Sequence, residues 1–419
     1  MTILPYAGRA RPMETDMRTP DDNTADHPHI VWIAGQSWDR DGGTHLDMAT
    51  ALAEYGHILY VDPPASPLTR DSARRIVKPV LVEAADRIIR LRPVALPGFS
   101  RPGVRATTSL LLRAQVRWAM RKLGIHPSAV VMLYLGKFLG GWGKDVTNVL
   151  FGTDDYVAGA QLMRISPEYV RRREREALSK ANIVVTVSAD LAQRWSGMGA
   201  DPVVIPNGCW PLGRADQTPS EKIDLPRPIV GLIGRLSERI DFDVIEAIAD
   251  SGLSLLLMGP RDPRWEPERF EKLTSKPTVR YIGPVPKAEV AAKLAAIDVG
   301  ITPYRNNAFN RASFPLKTLE YLSAGIPVVA SSLPATQWLK ADLEDTLPEH
   351  LSNQVLVLAD EGQDYINAIR TLAVGRRGVA NHCMAFAERH SWSRRAERFA
   401  AEIGLAEPPR RVPRQPGVL

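Results

Sequence analysis

The chain has 419 residues, of which 44% are hydrophobic and 24% are charged. This composition excludes a disordered or fibrous protein and allows two or three domains, each with its own core. No apolar run approaches the roughly 18 residues that a membrane-spanning helix needs. Cys209 and Cys383 are the two cysteines, and their wide separation argues against a disulfide framework or a zinc site. We therefore expect a protein of the reducing cytoplasm.

Strand and helix patterns alternate along most of the chain, which predicts the α/β class. A stretch rich in Pro, Gly, Asp and Ser interrupts the alternation between two domains. The terminal segments lack apolar periodicity. The expected order is a disordered leader (1–27), a first Rossmann-like domain (28–210), a linker (211–228), a second Rossmann-like domain (229–390), a helix packing back on the first domain (391–405) and a disordered tail (406–419).

The first βαβ unit runs from a strand at His29 to a second strand that ends at Val61. Its βα loop contains Gly42 and Gly43 and lies at the carboxyl end of the first strand, where α/β proteins bind ligands. The glycines do not follow the G-x-G-x-x-G pattern, so a dinucleotide site is not expected. We assign them to an acceptor-binding or membrane-facing edge. An ordinary βα turn is the alternative.

Net charge is +6, and the excess is concentrated between residues 70 and 122, which hold 13 Lys and Arg against three acids. A helix expected from Ser109 to Leu123 places Arg113, Arg117 and Arg121 four residues apart along one stripe. A basic amphipathic helix that contains Trp is typical of an anionic membrane surface. A core-packed helix with solvated arginines is the alternative. We expect no nucleic-acid partner, because the basic residues are not part of a recognition module.

Two adjacent carboxylates, Asp154 and Asp155, follow a buried strand that ends at Gly152. A carboxylate at the carboxyl end of such a strand can act as a general base, so both are candidate catalytic residues. Successive side chains of an extended segment point in opposite directions, so one of the two should face the site. Both could instead be turn or capping acids.

In the second domain, Gly234, Arg235 and Arg239 occupy the loop after its first strand, and Tyr304 follows a later strand. Arginines beside a helix N-terminus favour phosphate binding, although a structural salt bridge would use the same residues. Ser313, Leu316, Lys317 and Glu320 belong to the stretch 313–331, which predicts a loop, a helix ended by Gly325, and a buried strand. Lys317 and Glu320 share one helix face, where they could bind an anionic, hydroxyl-bearing ligand or form a surface ion pair.

These motifs resemble the GT-B glycosyltransferases, in particular the family-4-like group. The resemblance rests on Pro206-Asn207-Gly208, Gly234-Arg235-Leu236, Gly283 and the stretch 314–329, and it extends from about His29 to Ile403. It implies two Rossmann-like domains that face each other across a cleft. It also implies a nucleotide-sugar donor whose diphosphate contacts Arg235, Arg239 and Lys317, with Glu320 on the ribose hydroxyls.

One position departs from the pattern of the retaining members, which carry a Glu where this chain has Ala312. The sequence Asp154-Asp155-Tyr156 looks closer to the teichuronic-acid-type branch. More distantly, the chain is similar to the inverting xanthan glucuronosyltransferase, whose catalytic base aligns best with Asp154. The resemblance leaves the stereochemical outcome open, and we expect neither a metal nor a cofactor.

The resemblance implies a cytoplasmic, membrane-peripheral transferase on the inner face of the plasma membrane. Its donor would be a nucleotide sugar, most simply UDP-linked. Its acceptor would be a glycolipid or polysaccharide intermediate of the cell envelope or of exopolysaccharide synthesis. A sugar-nucleotide epimerase of the same architecture and a non-catalytic nucleotide-sugar-binding protein are the alternatives.

Overall fold

The computed structural model describes residues 28–40, 42–68, 76–98, 104–160, 165–213 and 223–405. The expected leader (1–27), the expected tail (406–419) and half of the expected linker (214–222) lie outside these residues. The described chain forms two sheets with helices packed on both, and the hydrophobic core fills the layers between sheet and helices.

The first sheet has eight strands among the described residues, and all its neighbouring strands are parallel except one edge pair, β3 and β4. Numbered in chain order and listed across the sheet, they are β3 (Val80–Ala85), β4 (Ile88–Arg92), β2 (His57–Val61), β1 (His29–Ile33), β5 (Pro127–Met132), β6 (Thr147–Gly152), β7 (Ile183–Thr186) and β8 (Pro202–Val204). Its helices are α1 (Thr44–Leu52), α2 (Val104–Leu123), α3 (Pro167–Leu178) and α4 (Ala189–Ser196).

The second sheet has six described strands, all parallel to their neighbours. Across the sheet they are β11 (Val279–Tyr281), β10 (Ser254–Met258), β9 (Ile229–Ile233), β12 (Val299–Thr302), β13 (Val328–Ala330) and β14 (Leu356–Leu358). The helices that follow β9 are α5 (Phe242–Asp250), α6 (Pro267–Thr274), α7 (Lys287–Leu294), α8 (Ala308–Ala312), α9 (Leu316–Ser323), α10 (Pro334–Glu344), α11 (Glu349–Val355) and α12 (Gly362–Arg389).

A final helix, α13 (Trp392–Glu402), returns to the first sheet. It packs against α1, and the Phe399 ring lies 5.9 Å from Trp32 and 5.4 Å from Phe151, measured between ring centroids. Backbone hydrogen bonds to Cys209 hold the chain where it returns to the first sheet. In one of them, Trp392 N–H at the start of α13 donates to the Cys209 carbonyl. The two sheets are therefore joined at two places in the chain.

The structure differs from the sequence prediction in three elements. The sequence pattern predicts two helices, near 364–374 and 379–390, but the structure has the single helix α12, because α12 packs on α5 and α9 and this packing tolerates the glycines at its centre. The β3–β4 hairpin was not predicted within the basic region. The helix expected from Ser109 begins at Val104. No helix in the described part of the chain has the length and apolar character required to cross a membrane.

Candidate active site

The carboxyl edges of the two sheets meet at residues 312–314, between α8 and α9. Ser188 Oγ, at the N-terminus of α4, donates a 2.6 Å hydrogen bond to the Ala312 carbonyl. Asn207 Nδ2 donates to the Phe314 carbonyl at 3.2 Å, and Asn207 Oδ1 accepts from Thr44 Oγ1 at 2.8 Å. All three side chains are buried. The loops that follow parallel strands of both sheets therefore converge on one place.

Asp154 lies at this junction, in the loop after β6. Its carboxylate lies near the hydroxyls of Thr153 and of Ser313, which belongs to the second sheet, and it interacts electrostatically with the positive charge of Arg239. Burial raises the pKa of Asp154 to about 6, although Arg239 and the two hydroxyls favour the ionised form. A carboxyl group with this pKa can accept a proton near neutral pH.

Asp155 has a different environment. One carboxylate oxygen accepts from the backbone N–H groups of Val157 and Ala158, each at 2.9 Å, which closes a turn. The other lies 3.1 Å from Arg194 Nε. Arg194 in turn pairs with the buried Glu174, so Asp155 belongs to a structural network. The contacts of Asp155 are those of a turn residue, and Asp154 alone reaches the second sheet.

Arg239 is held from several sides beside Asp154. Its Nε donates to Asn310 Oδ1 at 2.9 Å, and its guanidinium lies over the rings of Phe309 at 4.8 Å and Tyr304 at 5.3 Å. Asn310 is 2% exposed and donates to the Arg239 and Arg305 carbonyls. These contacts fix the guanidinium at the junction, where it can meet a phosphate.

Lys317 and Glu320 lie on the first turns of α9, with Lys317 Nζ 2.5 Å from Glu320 Oε2. Burial alone would lower the pKa of Lys317, but the neighbouring Glu320 carboxylate raises it above its ordinary value. Leu316 is the first residue of α9, and no side chain caps the helix, so its first N–H groups are available to an anion.

Gly234 lies against the Lys317 side chain. It has a φ of +133°, and a Cβ built on it would lie 3.6 Å from Lys317 Cε. Because L-residues rarely adopt this φ, glycine allows the β9 loop to approach α9 closely. Arg235, the next residue, is exposed. Lys317, Gly234 and Arg235 therefore occupy one side of the junction.

Gly42 and Gly43 precede α1 with φ angles of 72° and 109°. Gln36 Nε2 donates to the Gly42 carbonyl at 2.9 Å, and Gly43 N–H donates to Asp47 Oδ2 at 2.8 Å. His45, which sequence analysis did not single out, lies in the same helical turn and is 8% exposed. A histidine two residues after paired glycines is the only sequence signal for it.

The basic stripe on α2 divides into two groups. Arg113 donates to the carbonyls of Phe138 and Gly140, Arg117 donates to the Gly141 carbonyl, and both guanidinium groups lie over the Trp142 ring. These two arginines hold the loop at residues 137–142. Arg121 is exposed on the outward face, together with Leu110, Trp118 and Lys122.

Metal ligands do not cluster in the described residues: no group of three or more His, Cys, Asp and Glu side chains there is placed to hold a metal ion. The site as described consists of one carboxylate with a raised pKa, several cations and a helix N-terminus. Such a set can bind a diphosphate and deprotonate a hydroxyl.

Comparison with known proteins shows which family and fold this chain resembles. Residues 227–373, which carry the second sheet and the first part of α12, match the family model described as Glycosyl transferases group 1. The chain is also 37% identical over 110 residues to a Bacillus subtilis (strain 168) protein described as a teichuronic acid biosynthesis glycosyltransferase, TuaH. This alignment covers 26% of the chain and 28% of TuaH, so it spans less than a third of that relative's length.

Solved structures match over almost the whole chain. Sucrose-phosphate synthase from Thermosynechococcus elongatus is 19% identical with a TM-score of 0.66, and the match covers 90% of this chain and 98% of the synthase. Anabaena HepE, solved in complex with UDP, is 16% identical with a TM-score of 0.58, over 89% of this chain and 98% of HepE. Residues 227–373 thus match a group 1 glycosyltransferase domain, and the chain that contains them has the GT-B fold.

Proposed function

We propose that the protein is a glycosyltransferase that moves a sugar from a UDP-linked donor to a lipid-linked or polysaccharide acceptor of the cell envelope. The observation that carries the proposal is the junction itself. There, Asp154 of the first sheet lies beside Ser313 of the second sheet and within the electrostatic influence of the fixed cation Arg239. The group 1 domain match and the complex of HepE with UDP support a nucleotide-sugar donor.

In the proposed mechanism, Asp154 removes the proton from an acceptor hydroxyl as the hydroxyl oxygen attacks the anomeric carbon of the donor. The bond from the anomeric carbon to the β-phosphate oxygen breaks, and UDP leaves with the electron pair of that bond. Arg239, Lys317 and the first N–H groups of α9 stabilise the negative charge that develops on the diphosphate. Glu320 accepts hydrogen bonds from the ribose hydroxyls.

This mechanism inverts the anomeric configuration, because a single displacement occurs. The residue at position 312 supports an inverting mechanism. Its side chain is a buried methyl group, and the Ala312 carbonyl accepts a hydrogen bond from Ser188 Oγ. No carboxylate is therefore supplied from this position to the donor sugar. Asp155 is assigned to the turn that orients Asp154, and Gly42 and Gly43 to the acceptor side of the cleft.

The acceptor is proposed to be membrane-bound, with the first domain docked peripherally on the anionic inner leaflet of the plasma membrane. TuaH, named for teichuronic acid biosynthesis, supports an envelope polymer or its lipid-linked precursor as acceptor. The docking face is the outward side of α2, where Leu110 is 70% and Trp118 38% exposed beside Arg121 and Lys122. Apolar side chains flanked by cations suit an anionic lipid interface.

Nucleotide release tests this proposal. The protein is incubated with a panel of sugar nucleotides, with and without a membrane lipid extract, and both the nucleotide and the sugar product are measured. We expect release of UDP from one donor, strongly stimulated by the extract. Conversion of a donor without any acceptor would instead identify an epimerase, and binding without turnover would identify a non-catalytic protein.

A further inference from the structure

We propose that α8 (Ala308–Ala312) relays the position of the first domain to the Arg239 guanidinium, with Gly159 and Phe309 as the positioning residues. Neither the family match nor the resemblance gives these two residues a role. The relay itself is a set of packed groups. Its consequence for sugar transfer rests on the proposed function, because there Arg239 is a cation that binds the donor diphosphate.

One side of α8 is held by the first domain, through the N-terminus of α4. Ser188 Oγ donates to the Ala312 carbonyl at 2.6 Å, and Arg311 Nε lies 3.5 Å from Asp190 Oδ2. Ser188 is the N-cap of α4, and Asp190 lies in its first turn. Two consecutive residues of α8 therefore contact the first domain, so a movement of that domain against the second sheet acts on α8.

A third contact joins the first domain to α8 at Gly159, in the turn that follows Asp154 and Asp155. A Cβ built on Gly159 would lie 2.9 Å from Phe309 Cε2 and 3.0 Å from Phe309 Cδ2, which is closer than normal van der Waals contact. The φ of Gly159 lies outside the left-handed region, so an L-residue could adopt its backbone conformation. Glycine is therefore needed here because the Phe309 ring of the second domain approaches the turn so closely.

The other side of α8 holds Arg239. The Phe309 ring centroid lies 4.8 Å from the guanidinium carbon of Arg239, and the neighbouring Asn310 Oδ1 accepts from Arg239 Nε at 2.9 Å. Asn310 Nδ2 donates to the Arg239 carbonyl at 3.0 Å, and the Asn310 side chain is buried. Because the ring and the amide belong to consecutive residues, a shift of α8 displaces both of the supports that it gives to the guanidinium.

In the proposed reaction, the relay ties the donor-binding cation to the acceptor side. Gly159 N–H donates to the Asp155 carbonyl at 2.8 Å, so the turn that contacts Phe309 begins directly after the proposed base. When the first domain lies against α8, Arg239 and Asp154 are brought into place together. A cation that is set only in this arrangement confines cleavage of the donor to the state in which the acceptor domain is present.

Two substitutions test the contact from its two sides. Gly159→Ala is the smaller change, because its methyl group has to displace the Phe309 ring. Phe309→Leu removes the ring beside Arg239 and makes room for that methyl group. Gly197→Ala is the matched control, since Gly197 is exposed at the end of α4 with a φ of −62° and the nearest contact of its Cβ would be an ordinary 3.5 Å. If thermal unfolding shows that Gly159→Ala does not fold, Asp190→Asn, which loosens α8 from α4, takes its place.

The Arg239 Nε–H resonance measures the relay without any substrate. It is recorded by ¹H–¹⁵N NMR and assigned with Arg239→Gln. We expect Gly159→Ala to shift this resonance in the same direction as Phe309→Leu, and Gly197→Ala to leave it in place. The double variant Gly159→Ala/Phe309→Leu should match Phe309→Leu alone, because the methyl group then has no ring to displace. An unchanged resonance in Gly159→Ala, or a double variant in which the two shifts add, overturns the proposal.

UDP affinity gives the second readout, and isothermal titration measures it. Gly159→Ala should raise the dissociation constant about two- to thirtyfold, the range that the loss of a cation–π contact implies, and it should add nothing in an Arg239→Gln background. If the wild type binds UDP and transfers sugar but Gly159→Ala changes neither the resonance nor the dissociation constant, the relay is wrong and the proposed function stands. If the wild type binds no UDP and transfers sugar from no donor, the proposed function is wrong, and the Arg239 resonance still decides the relay.

Discussion

Lys317 on α9 and Arg113 on α2 are both cations on helices, in stretches that the sequence marks as functional, yet their surroundings differ. Lys317 pairs with Glu320 at an uncapped helix N-terminus where the two sheets meet. The Arg113 guanidinium donates its hydrogen bonds to carbonyls of the loop at 137–142. This difference leads us to predict that Lys317 is available to a ligand, whereas Arg113 is part of the scaffold that holds the loop at 137–142.

The largest effect expected from this comparison concerns donor affinity. Lys317→Met should weaken UDP binding by about 30- to 100-fold, because a charge-assisted hydrogen bond contributes about 2–3 kcal/mol. Isothermal titration with UDP measures the change. Arg113→Gln is the matched control and should leave the dissociation constant unchanged; equal losses in the two variants would remove the distinction between the regions.

The next effect concerns stability. Arg113→Ala should lower the free energy of unfolding by about 1–3 kcal/mol, because the carbonyls of Phe138 and Gly140 lose their donor. Urea denaturation measures this loss. Arg121→Ala, on the exposed side of the same helix, should stay within about 0.5 kcal/mol of the wild type. A loss as large in Arg121→Ala would show that α2 is not divided in the way described.

The pH dependence of transfer tests the region where the two sheets meet, through the proposed base Asp154. Because Asp154 must be ionised to accept a proton and its pKa is about 6, kcat/KM should rise about tenfold per pH unit below that value and level off above it. The profile is measured from about pH 4.5 to 8.5 at constant ionic strength. A plateau that extends below about pH 5 would mean that a carboxyl with an ordinary pKa, or no carboxyl, limits the reaction.

The smallest effect concerns the membrane. Changing Arg121 and Lys122 together to Gln should reduce binding to anionic vesicles, by about fivefold for each charge if each contributes about 1 kcal/mol. Co-sedimentation with phosphatidylglycerol-containing vesicles measures it. Arg171 and Arg172, exposed on α3, give the matched control pair. If both double variants lost vesicle binding equally, net charge alone would account for the binding. If the change of Arg121 and Lys122 had no effect on vesicle binding, α2 would not be the docking face.

Several features of the site could be predicted because they follow local rules. The stretch 313–331 contains a helix that ends before Gly325 and a buried strand at Val328–Ala330, as its glycine and its apolar run indicate. The α/β class followed from the alternation of strands and helices, and the GT-B fold was implied by the resemblance of the motifs to that family. The residue-level roles in the cleft remain predictions.

Other features depend on contacts between distant residues, which no local pattern contains. The two aspartates at 154 and 155 are identical in type, and Arg194 and Ser313 decide their environments. Arg90, one of the basic residues between 70 and 122, is buried in an ion pair with Asp62. The basic residues of this region therefore do not form one continuous exposed surface. His45 has one nearby partner, Gly35 in the preceding loop, and a second, Thr153, in the β6 loop 108 residues away.

The central claim is that the carboxylate reaching the second sheet is the one that takes the acceptor proton. Asp154→Asn and Asp155→Asn are compared in single-turnover transfer from the preferred donor, with UDP affinity measured in parallel. We predict that Asp154→Asn slows transfer by about 10²- to 10⁴-fold with UDP affinity intact, and that Asp155→Asn acts mainly on thermal stability. Transfer at the wild-type rate in Asp154→Asn would contradict the account.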